Sequence, residues 1–387
     1  MKNLTLPILH EVITSLALSP SSLEDKLVAA LLSYFPTERS LRNISTITDE
    51  ELIVSLWDVS SPEEISDKRK QLISAKSLIN KKLYYLMGQN ENPHRIILGK
   101  DNIFIFSDQP KSLFPPGHFY SPVVNPDNIK KHEDRIWTSS PPEILGIDFN
   151  KKSHLAILEK DFPTYLDDFN YPDHQKETSN PYDFFLKNGL FEGLDARTLF
   201  VMLRKFRPQN MIEIGSGFSS LLTAHINRTW LKNKINFTCI EPFPREFLTK
   251  DVPGLSSLIV SKVEDVDMSV FEQLKAGDIL FIDSSHVSKT GSDVNFLFFE
   301  ILPKLKKDVF IHIHDIFLPY EYPPKWVLDE NRSWNEQYLL RALLMYSPLF
   351  EVMFSCAYAY YNLPELTQNA CSGILYDGAS FWIKKIA

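Results

Sequence analysis

The chain has 387 residues, 44% of them hydrophobic, and a formal net charge of −8 at pH 7. This length leaves room for two domains with packed cores, and the acidic balance disfavours nucleic acid as the main partner, because phosphate binding needs clustered positive charge. The three cysteines have no metal-type spacing and suit a reducing compartment, and no apolar run approaches the ~18 residues of a membrane span. We therefore expect a cytoplasmic protein without a membrane span.

Residues 1–108 are predicted to form a mainly helical accessory domain that ends in a strand pair. A helix is expected behind Pro7, and residues 94–107 have the pattern of two strands joined by a turn at 99–102. No motif in this region carries chemistry. We expect it to form a homodimer or to grip a substrate.

Residues 109–189 are predicted to connect the two domains and to cover the cleft. Prolines recur between positions 108 and 126, and the aromatic loop at 116–120 contains His118 and Tyr120. Either side chain is a candidate for contact with a substrate, although an ordinary packed loop explains both equally well.

The glycine turn at residues 215–217 is the most informative feature of the C-terminal part, which we assign to residues 190–387. A short apolar strand at 210–214 runs into Gly215 and Gly217, and a helical pattern follows. Glycine allows a sharp turn and the close approach of a ligand, while the N-terminus of the next helix attracts polar or anionic groups. The turn therefore predicts a nucleotide-like cofactor. A dinucleotide fingerprint would have a third glycine where Ser220 stands.

Four acidic residues around this turn are candidate contacts of the cofactor. Asp195 falls at the start of the preceding helix, where it could cap the helix and hold the cofactor's amino group. Glu241 ends the strand predicted at 237–241 and is placed to accept hydrogen bonds from two ribose hydroxyls. Glu264 and Asp265 follow a third strand at 255–260, and either could reach an adenine amino group.

Two further strands end in ionisable residues. The strand predicted at 276–283 ends in Asp283, with His286 three residues on, and the strand at 309–315 ends in His314 and Asp315. Ligands bind at the carboxyl ends of parallel strands, so these four side chains are predicted to meet in the cleft. His312 lies deeper in the same strand and is predicted to belong to the core.

Strands and helices alternate through the rest of the C-terminal part. A helix is predicted at 293–305, and the last strands are predicted at 350–361 and 380–384. This alternation favours an α/β fold with a parallel sheet that is covered by helices on both faces.

Glu213, Gly215 and Gly217, followed by Glu241 at the end of the next strand, resemble the class I S-adenosylmethionine-dependent methyltransferases. The resemblance covers residues 190–387 and implies a Rossmann-like sheet of seven strands with a late hairpin-like pair. It also implies that Glu213 and the turn at Gly215, Ser216 and Gly217 bind S-adenosyl-L-methionine, with Glu241 on its ribose.

Asp283, His286 and Asp315 resemble a metal-dependent branch of the same superfamily, the O-methyltransferases that modify sugars on macrolide antibiotics. The resemblance implies magnesium on Asp283 and on an acidic pair after the fifth strand, with His286 as the base. Here His314 replaces one acidic residue of that pair. Because Mg²⁺ prefers oxygen donors, His314 either shifts the site toward Mn²⁺, Fe²⁺ or Zn²⁺ or is not a ligand.

A wider resemblance joins the loop at 116–120 with residues 313–316 and 334–337, and it is to uncharacterised bacterial methyltransferase-like proteins. This resemblance implies a hydroxylated, sugar-like or natural-product acceptor. The acceptor would lose its proton to His286 in a cleft that aligns the two reactants.

Two alternatives stand beside a metal-assisted O-methyltransferase. A metal-independent enzyme would methylate nitrogen or a carboxylate on a peptide or small molecule, and its activity would survive chelators and the loss of Asp315. A non-catalytic methyltransferase-like module for binding or assembly would not bind the cofactor, and the intact turn and Glu241 count against it. Ser220 and the acidic residue before the turn disfavour a nicotinamide-dependent dehydrogenase.

Overall fold

The computed structural model describes residues 45–48, 64, 68, 71–72, 95–98, 102–106, 114, 116–138, 145–178, 180 and 182–387. The chain divides into two compact units, Met1–Pro115 and Pro116–Ala387. The helix predicted behind Pro7 lies outside the described residues.

The first unit contains a three-stranded antiparallel sheet. Its strands are β1 (Ser45–Thr48), β2 (Arg95–Leu98) and β3 (Asn102–Phe106), with β3 between the other two. β2 and β3 lie in the segment where the sequence predicts a strand pair. β1 adds a strand within a segment whose pattern indicates helices.

The second unit is built on a single large sheet. Its strands are β4 (Asn210–Ile214), β5 (Asn236–Ile240), β6 (Ser257–Ile259), β7 (Ile279–Ile282), β8 (Phe310–Ile313), β9 (Phe350–Ser355) and β10 (Phe381–Lys385). They form one seven-stranded sheet in the order β6-β5-β4-β7-β8-β10-β9. The first five strands in that order are parallel, and β10 is antiparallel to both of its neighbours. The predicted fold class, a Rossmann-like sheet of seven strands, is confirmed. The late hairpin-like pair is β9 and β10, which are antiparallel but are separated in the chain by two helices.

Helices precede these strands and alternate with them. They are α1 (Pro126–Lys130), α2 (Glu133–Ile136), α3 (Lys151–Ala156), α4 (Phe162–Tyr165), α5 (Gly193–Phe206), α6 (Phe218–Thr229), α7 (Ser269–Glu272), α8 (Asp293–Phe296), α9 (Pro324–Leu328), α10 (Glu336–Leu344), α11 (Cys356–Asn362) and α12 (Pro364–Ala370). π-Helical turns at Ile157–Asp161 and Leu297–Ile301 extend α3 and α8. Among the helices of the described part of the chain, none is long and apolar enough to cross a membrane.

Both faces of the large sheet are buried. Along β7, Ile279 and Phe281 belong to one hydrophobic cluster and Leu280 and Ile282 to another, because successive side chains of a strand point to opposite faces. The first cluster includes residues of α5 and α6, and the second includes residues of α8 and α10. Strands buried in this way have nearly continuous apolar sequences. That is why the sequence reveals them.

The strand predicted at 350–361 is wrong after Ser355. β9 ends there, and the Ser355 hydroxyl accepts a hydrogen bond from the backbone N–H of Tyr358, 3.1 Å away, so that it caps α11. A short apolar run does not distinguish a strand from a buried helix by its periodicity. The serine was the signal for a helix start.

Candidate active site

The topology brings the carboxyl ends of β4, β7 and β8 together. β4 lies beside β7 and β7 beside β8, all parallel, so the residues that follow these strands meet at one edge of the sheet. A cavity of about 280 Å³ lies there. Its walls include Gly215–Ser219, Glu241, Asp283, His286, His314, Asp315 and Trp334.

Gly215 forms the tightest point of the glycine turn. Its φ is +78°, and a Cβ at this position would lie 1.7 Å from the backbone oxygen of Asp283. Only glycine fits such a backbone conformation and such a close approach. The turn therefore packs directly on the end of β7.

The residues after Gly215 present polar groups to the cavity. α6 begins at Phe218, so the N–H groups of its first turn have no partner within the helix. The hydroxyl of Ser216 is buried and lies beside the thiol of Cys239. Beyond the position of a Cβ on Gly217 there is open space. This cradle fits a cofactor with polar or anionic groups.

Glu241 reaches the cavity directly after β5. Its carboxylate accepts hydrogen bonds from the backbone N–H groups of Ser216, at 3.1 Å, and Phe243, at 2.8 Å. The side chain is half-buried, which leaves oxygen lone pairs for a ligand. Its place next to the glycine turn is the one that the sequence predicts.

Glu213 lies behind the glycine turn rather than in the cavity wall. It is fully buried, and its carboxyl group accepts hydrogen bonds from the hydroxyl of Ser219 and from the thiol of Cys239. Burial raises the pKa of Glu213 to about 8, so the group holds a proton at neutral pH. Glu213 therefore ties β4 to the start of α6 and supports the turn.

His286 stands at the centre of the ionisable groups. Its Nε2 lies 3.4 Å from Asp283 Oδ1 and 3.3 Å from Asp315 Oδ2, and its Nδ1 lies 2.9 Å from Glu336 Oε2. Burial alone would lower the pKa of His286, but the carboxylates of Asp283, Glu336 and Asp315 outweigh burial and raise it to about 10. His286 and Asp315 both have positive φ, at +60° and +57°, a conformation that clusters at functional sites.

His314 lies on the other side of the same two carboxylates. Its Nδ1 is 3.5 Å from both Asp283 Oδ1 and Asp315 Oδ1, and its Nε2 is 3.4 Å from Asp195 Oδ2. The ring is buried, and within the described part of the chain its nitrogens make these ion-pair contacts but no hydrogen bond of good geometry. Burial would lower the pKa of His314, but the surrounding carboxylates raise it well above its usual value.

Three of these residues form a group that could hold a metal ion. One ligand atom from each of Asp283, His286 and Asp315 lies within 4.8 Å of the others. The sequence predicts Asp283, His314 and Asp315 instead, and His314 stays in contact with both aspartates. Two carboxylates with an imidazole suit a borderline divalent ion better than Mg²⁺.

Asp195 does not cap a helix as predicted. α5 begins at Gly193, which makes Asp195 its third residue and Glu192 the residue at the cap position. The Asp195 carboxylate accepts hydrogen bonds from the backbone N–H groups of Ala379, at 2.9 and 3.0 Å, and Ser380, at 2.7 Å. It is buried next to His314, so it joins the start of β10 to the ionisable groups.

The remaining predicted residues lie outside the cavity. Glu264 and Asp265 belong to a 3₁₀ turn at Val263–Asp265, with Glu264 half-buried and Asp265 exposed. His118 and Tyr120 are exposed in their loop. His312 belongs to the core as predicted, with its Nε2 2.9 Å from the hydroxyl of Ser380.

Sequence reasoning missed the part that residues 332–336 play in the site. The Trp334 ring lies 4.3 Å from the His286 ring, and the guanidinium of Arg332 lies 4.6 Å from Trp334. Glu336 is the first residue of α10, and its side chain is buried against His286. The recurrence of residues 334–337 in the wider resemblance was the signal that could have found them.

Comparison with known proteins agrees with this geometry. Residues 212–316, which run from the glycine strand to the residue after Asp315, match the family described as "Methyltransferase domain". An uncharacterized protein of the archaeon Archaeoglobus fulgidus is 38% identical over 184 residues, a stretch that covers 46% of this chain and 82% of the relative. The chain belongs to the class I S-adenosylmethionine-dependent methyltransferase family.

Proposed function

We propose that this protein transfers a methyl group from S-adenosyl-L-methionine to a hydroxyl group of a sugar-like or natural-product acceptor, with His286 as the base. One observation carries the proposal. The Nε2 of His286 lies between Asp283 and Asp315 in the cavity that also contains the glycine turn. A base beside the cofactor cradle is what deprotonation of an acceptor before methyl transfer requires.

The glycine-turn residues support the choice of cofactor. Ser216, Gly217 and the start of α6 would hold its polar end, and Glu241 would accept hydrogen bonds from its ribose. Bound S-adenosyl-L-methionine supplies an electrophilic methyl group. Glu213 acts from behind by keeping the turn in place. The adenine contact at Glu264 or Asp265 stays a prediction.

The protonation state of His286 indicates that it needs a divalent metal ion nearby to act as the base. With a pKa of about 10, His286 carries a proton on both ring nitrogens at neutral pH and cannot accept another. A metal on Asp283 and Asp315 would lower the pKa of the acceptor hydroxyl and neutralise the carboxylates that keep His286 protonated. With His286 as base, His314 would be the third ligand, once the charge of the metal displaces the ring proton that the neighbouring carboxylates retain.

The cavity wall supports a ring-shaped acceptor. Trp334 presents an aromatic ring to the cavity, and Arg332 holds that ring in place from between Trp334 and Trp326, with its guanidinium 4.6 and 4.2 Å from their centres. Aromatic faces pack well on the apolar faces of sugars. The aligned and partly enclosed cleft would bring the hydroxyl and the methyl donor together.

Calorimetric titration with S-adenosylhomocysteine, with and without Mn²⁺ or Mg²⁺, tests the cofactor and metal. We expect micromolar binding by the wild type, weaker binding by Glu241→Gln, and no change in Glu246→Gln, whose carboxylate is exposed. Methyl transfer from labelled S-adenosyl-L-methionine to a panel of hexoses, uronic acids and phenols then tests the acceptor class. No binding under any condition would contradict the proposal.

A further inference from the structure

We infer that Glu336 is the positioning residue of His286: it accepts the Nδ1 proton of the imidazole and so keeps Nε2 directed toward Asp283 and Asp315. This inference rests on the proposed function, in which His286 is the base. It assigns to the first residue of α10 a role that its position in the sequence does not suggest.

The burial of Glu336 calls for a charged or hydrogen-bonding partner. Its side chain is 1% exposed, and a buried carboxylate is costly unless it is paired. Oε2 accepts a hydrogen bond from His286 Nδ1 at 2.9 Å, and Oε1 has no hydrogen-bond partner among the described residues. His286 is therefore the group that makes a charge at this position tolerable.

The start of α10 does not explain the side chain. An acidic residue in the first turn can interact with the helix dipole from the surface, where it needs no burial. The cap residue, Asn335, makes no side-chain capping bond, and the carboxylate of Glu336 points to His286 instead of a helix N–H. A helix-start role alone would have left the carboxylate in water.

The backbone of α10 holds His286 as well. The N–H groups of Asn335 and Glu336 both donate to the backbone oxygen of His286, at 3.1 and 3.2 Å. His286 has a φ of +60°, a conformation that persists only where the surroundings fix it. Trp334 packs its ring 4.3 Å from the imidazole. Backbone, ring face and Nδ1 are thus all held by residues 334–336, and Nε2 alone is directed into the cavity.

This arrangement decides which nitrogen works as the base. When Nδ1–H donates to Glu336, the neutral imidazole has its lone pair on Nε2. The acceptor's hydroxyl proton then moves to Nε2, and the Glu336 carboxylate stabilises the imidazolium without taking the proton itself. Without Glu336, the proton could reside on either nitrogen and the ring could turn.

The test is the hydrogen-bonded proton on Nδ1, observed by NMR in the full chain labelled with ¹⁵N-histidine. We expect a downfield Nδ1–H resonance, protected from solvent exchange, that is absent in His286→Ala. The resonance should be lost in Glu336→Ala and retained, with an upfield shift, in Glu336→Gln, whose amide oxygen still accepts the bond. Glu365→Ala removes an exposed acid from the first turn of α12 and should leave the resonance unchanged.

Two results would overturn the inference: no protected Nδ1–H in the wild type, or a resonance that survives in Glu336→Ala. The wild-type spectrum and the Glu336→Gln variant give an answer even if Glu336→Ala does not fold. S-adenosylhomocysteine titration of the same samples keeps the two proposals apart. A wild type that fails to bind it would contradict the proposed function, whereas the Nδ1–H signal reports on the Glu336–His286 pair alone.

Discussion

The two halves of the cavity are formed by different kinds of groups, backbone groups in one and ionisable side chains in the other. The glycine-turn half, Gly215–Ser219 with Glu241, is shaped by a backbone turn and by N–H groups that no substitution of a surface side chain would remove. The ionisable half consists of Asp283, His286, His314 and Asp315, which follow two strands. Each of the two histidines lies 3.3–3.5 Å from both aspartates.

This difference predicts how substitutions affect each half. The glycine-turn half depends on local backbone geometry, so a substitution at one glycine should disrupt it, whereas substitutions of other side chains should have little effect on that geometry. In the ionisable half each group sets the charge of its neighbours, as the raised pKa of His286 beside three carboxylates shows. A change there should alter chemistry and metal binding while cofactor affinity stays the same.

Gly215→Ala should cause a large loss of stability, because it changes the backbone conformation on which the glycine-turn half depends. The new Cβ would lie 1.7 Å from the Asp283 oxygen and would also force an L-residue to a φ of +78°. We expect a loss of about 3 kcal/mol or more in the free energy of unfolding, measured by urea denaturation. Gly277→Ala is the matched control. Its φ is +90° with open space around the position, so about 1 kcal/mol is expected. Equal losses in the two variants would show that the close approach is unimportant.

His286→Ala should lower turnover, which depends on the ionisable half, without changing cofactor affinity, which depends on the glycine-turn half. Loss of a general base lowers turnover by about 10²–10⁴-fold. The affinity for S-adenosylhomocysteine should stay within error of the wild type, since His286 supports no part of the glycine turn. Methyl transfer to the acceptor found with the panel and calorimetry measure the two quantities, with exposed His132 replaced by alanine as the control. Full activity in His286→Ala would refute the base assignment.

Metal-binding measurements distinguish the role of His314 as a ligand from the role of His286 as the base. Asp315→Asn and His314→Ala should each weaken Mn²⁺ binding by about 10–100-fold, while His286→Ala should change it less, because the base is not a ligand. Binding is measured calorimetrically, with Asp251→Asn, an exposed aspartate, as the control. A stronger effect of His286→Ala than of His314→Ala would make His286 the ligand and exclude it as the base.

The fold and the meeting of strand ends could be predicted from the sequence. The parallel strands are buried on both faces and have apolar sequences, and their carboxyl ends must share one edge, which is why Asp283 and Asp315 could be expected together. The turn at Gly215 could be predicted from the residues next to it in the sequence alone. The error at 350–361 arose where a short apolar run gave no usable period.

The residues that support the site could not be predicted in the same way. Glu336 is 50 positions from His286, and Asp195 is 184 positions from its partner Ala379. No local pattern encodes such pairs, since they form only when α10 and the start of β10 pack against the sheet. Acidic residues in the first turn of a helix have an ordinary local explanation, and this explanation concealed both roles.

Glu213→Gln would show whether the glycine-turn half also contains a titrating group. The pKa of Glu213 rises from 4.5 to about 8 on folding, mainly through burial, so between these values the folded state holds a proton that the unfolded chain has lost. Its contribution to stability is complete below pH 4.5 and falls as the pH rises toward 8, by up to about 1.4 kcal/mol per pH unit. Glutamine cannot titrate. The free energy of unfolding of the variant, measured by urea denaturation, should therefore increase relative to that of the wild type as the pH rises from 5 to 8. Glu365→Gln, at an exposed position, should show no such increase. Parallel stability curves for Glu213→Gln and the wild type would mean that Glu213 is ionised in the folded protein and that the support behind the turn is an anion.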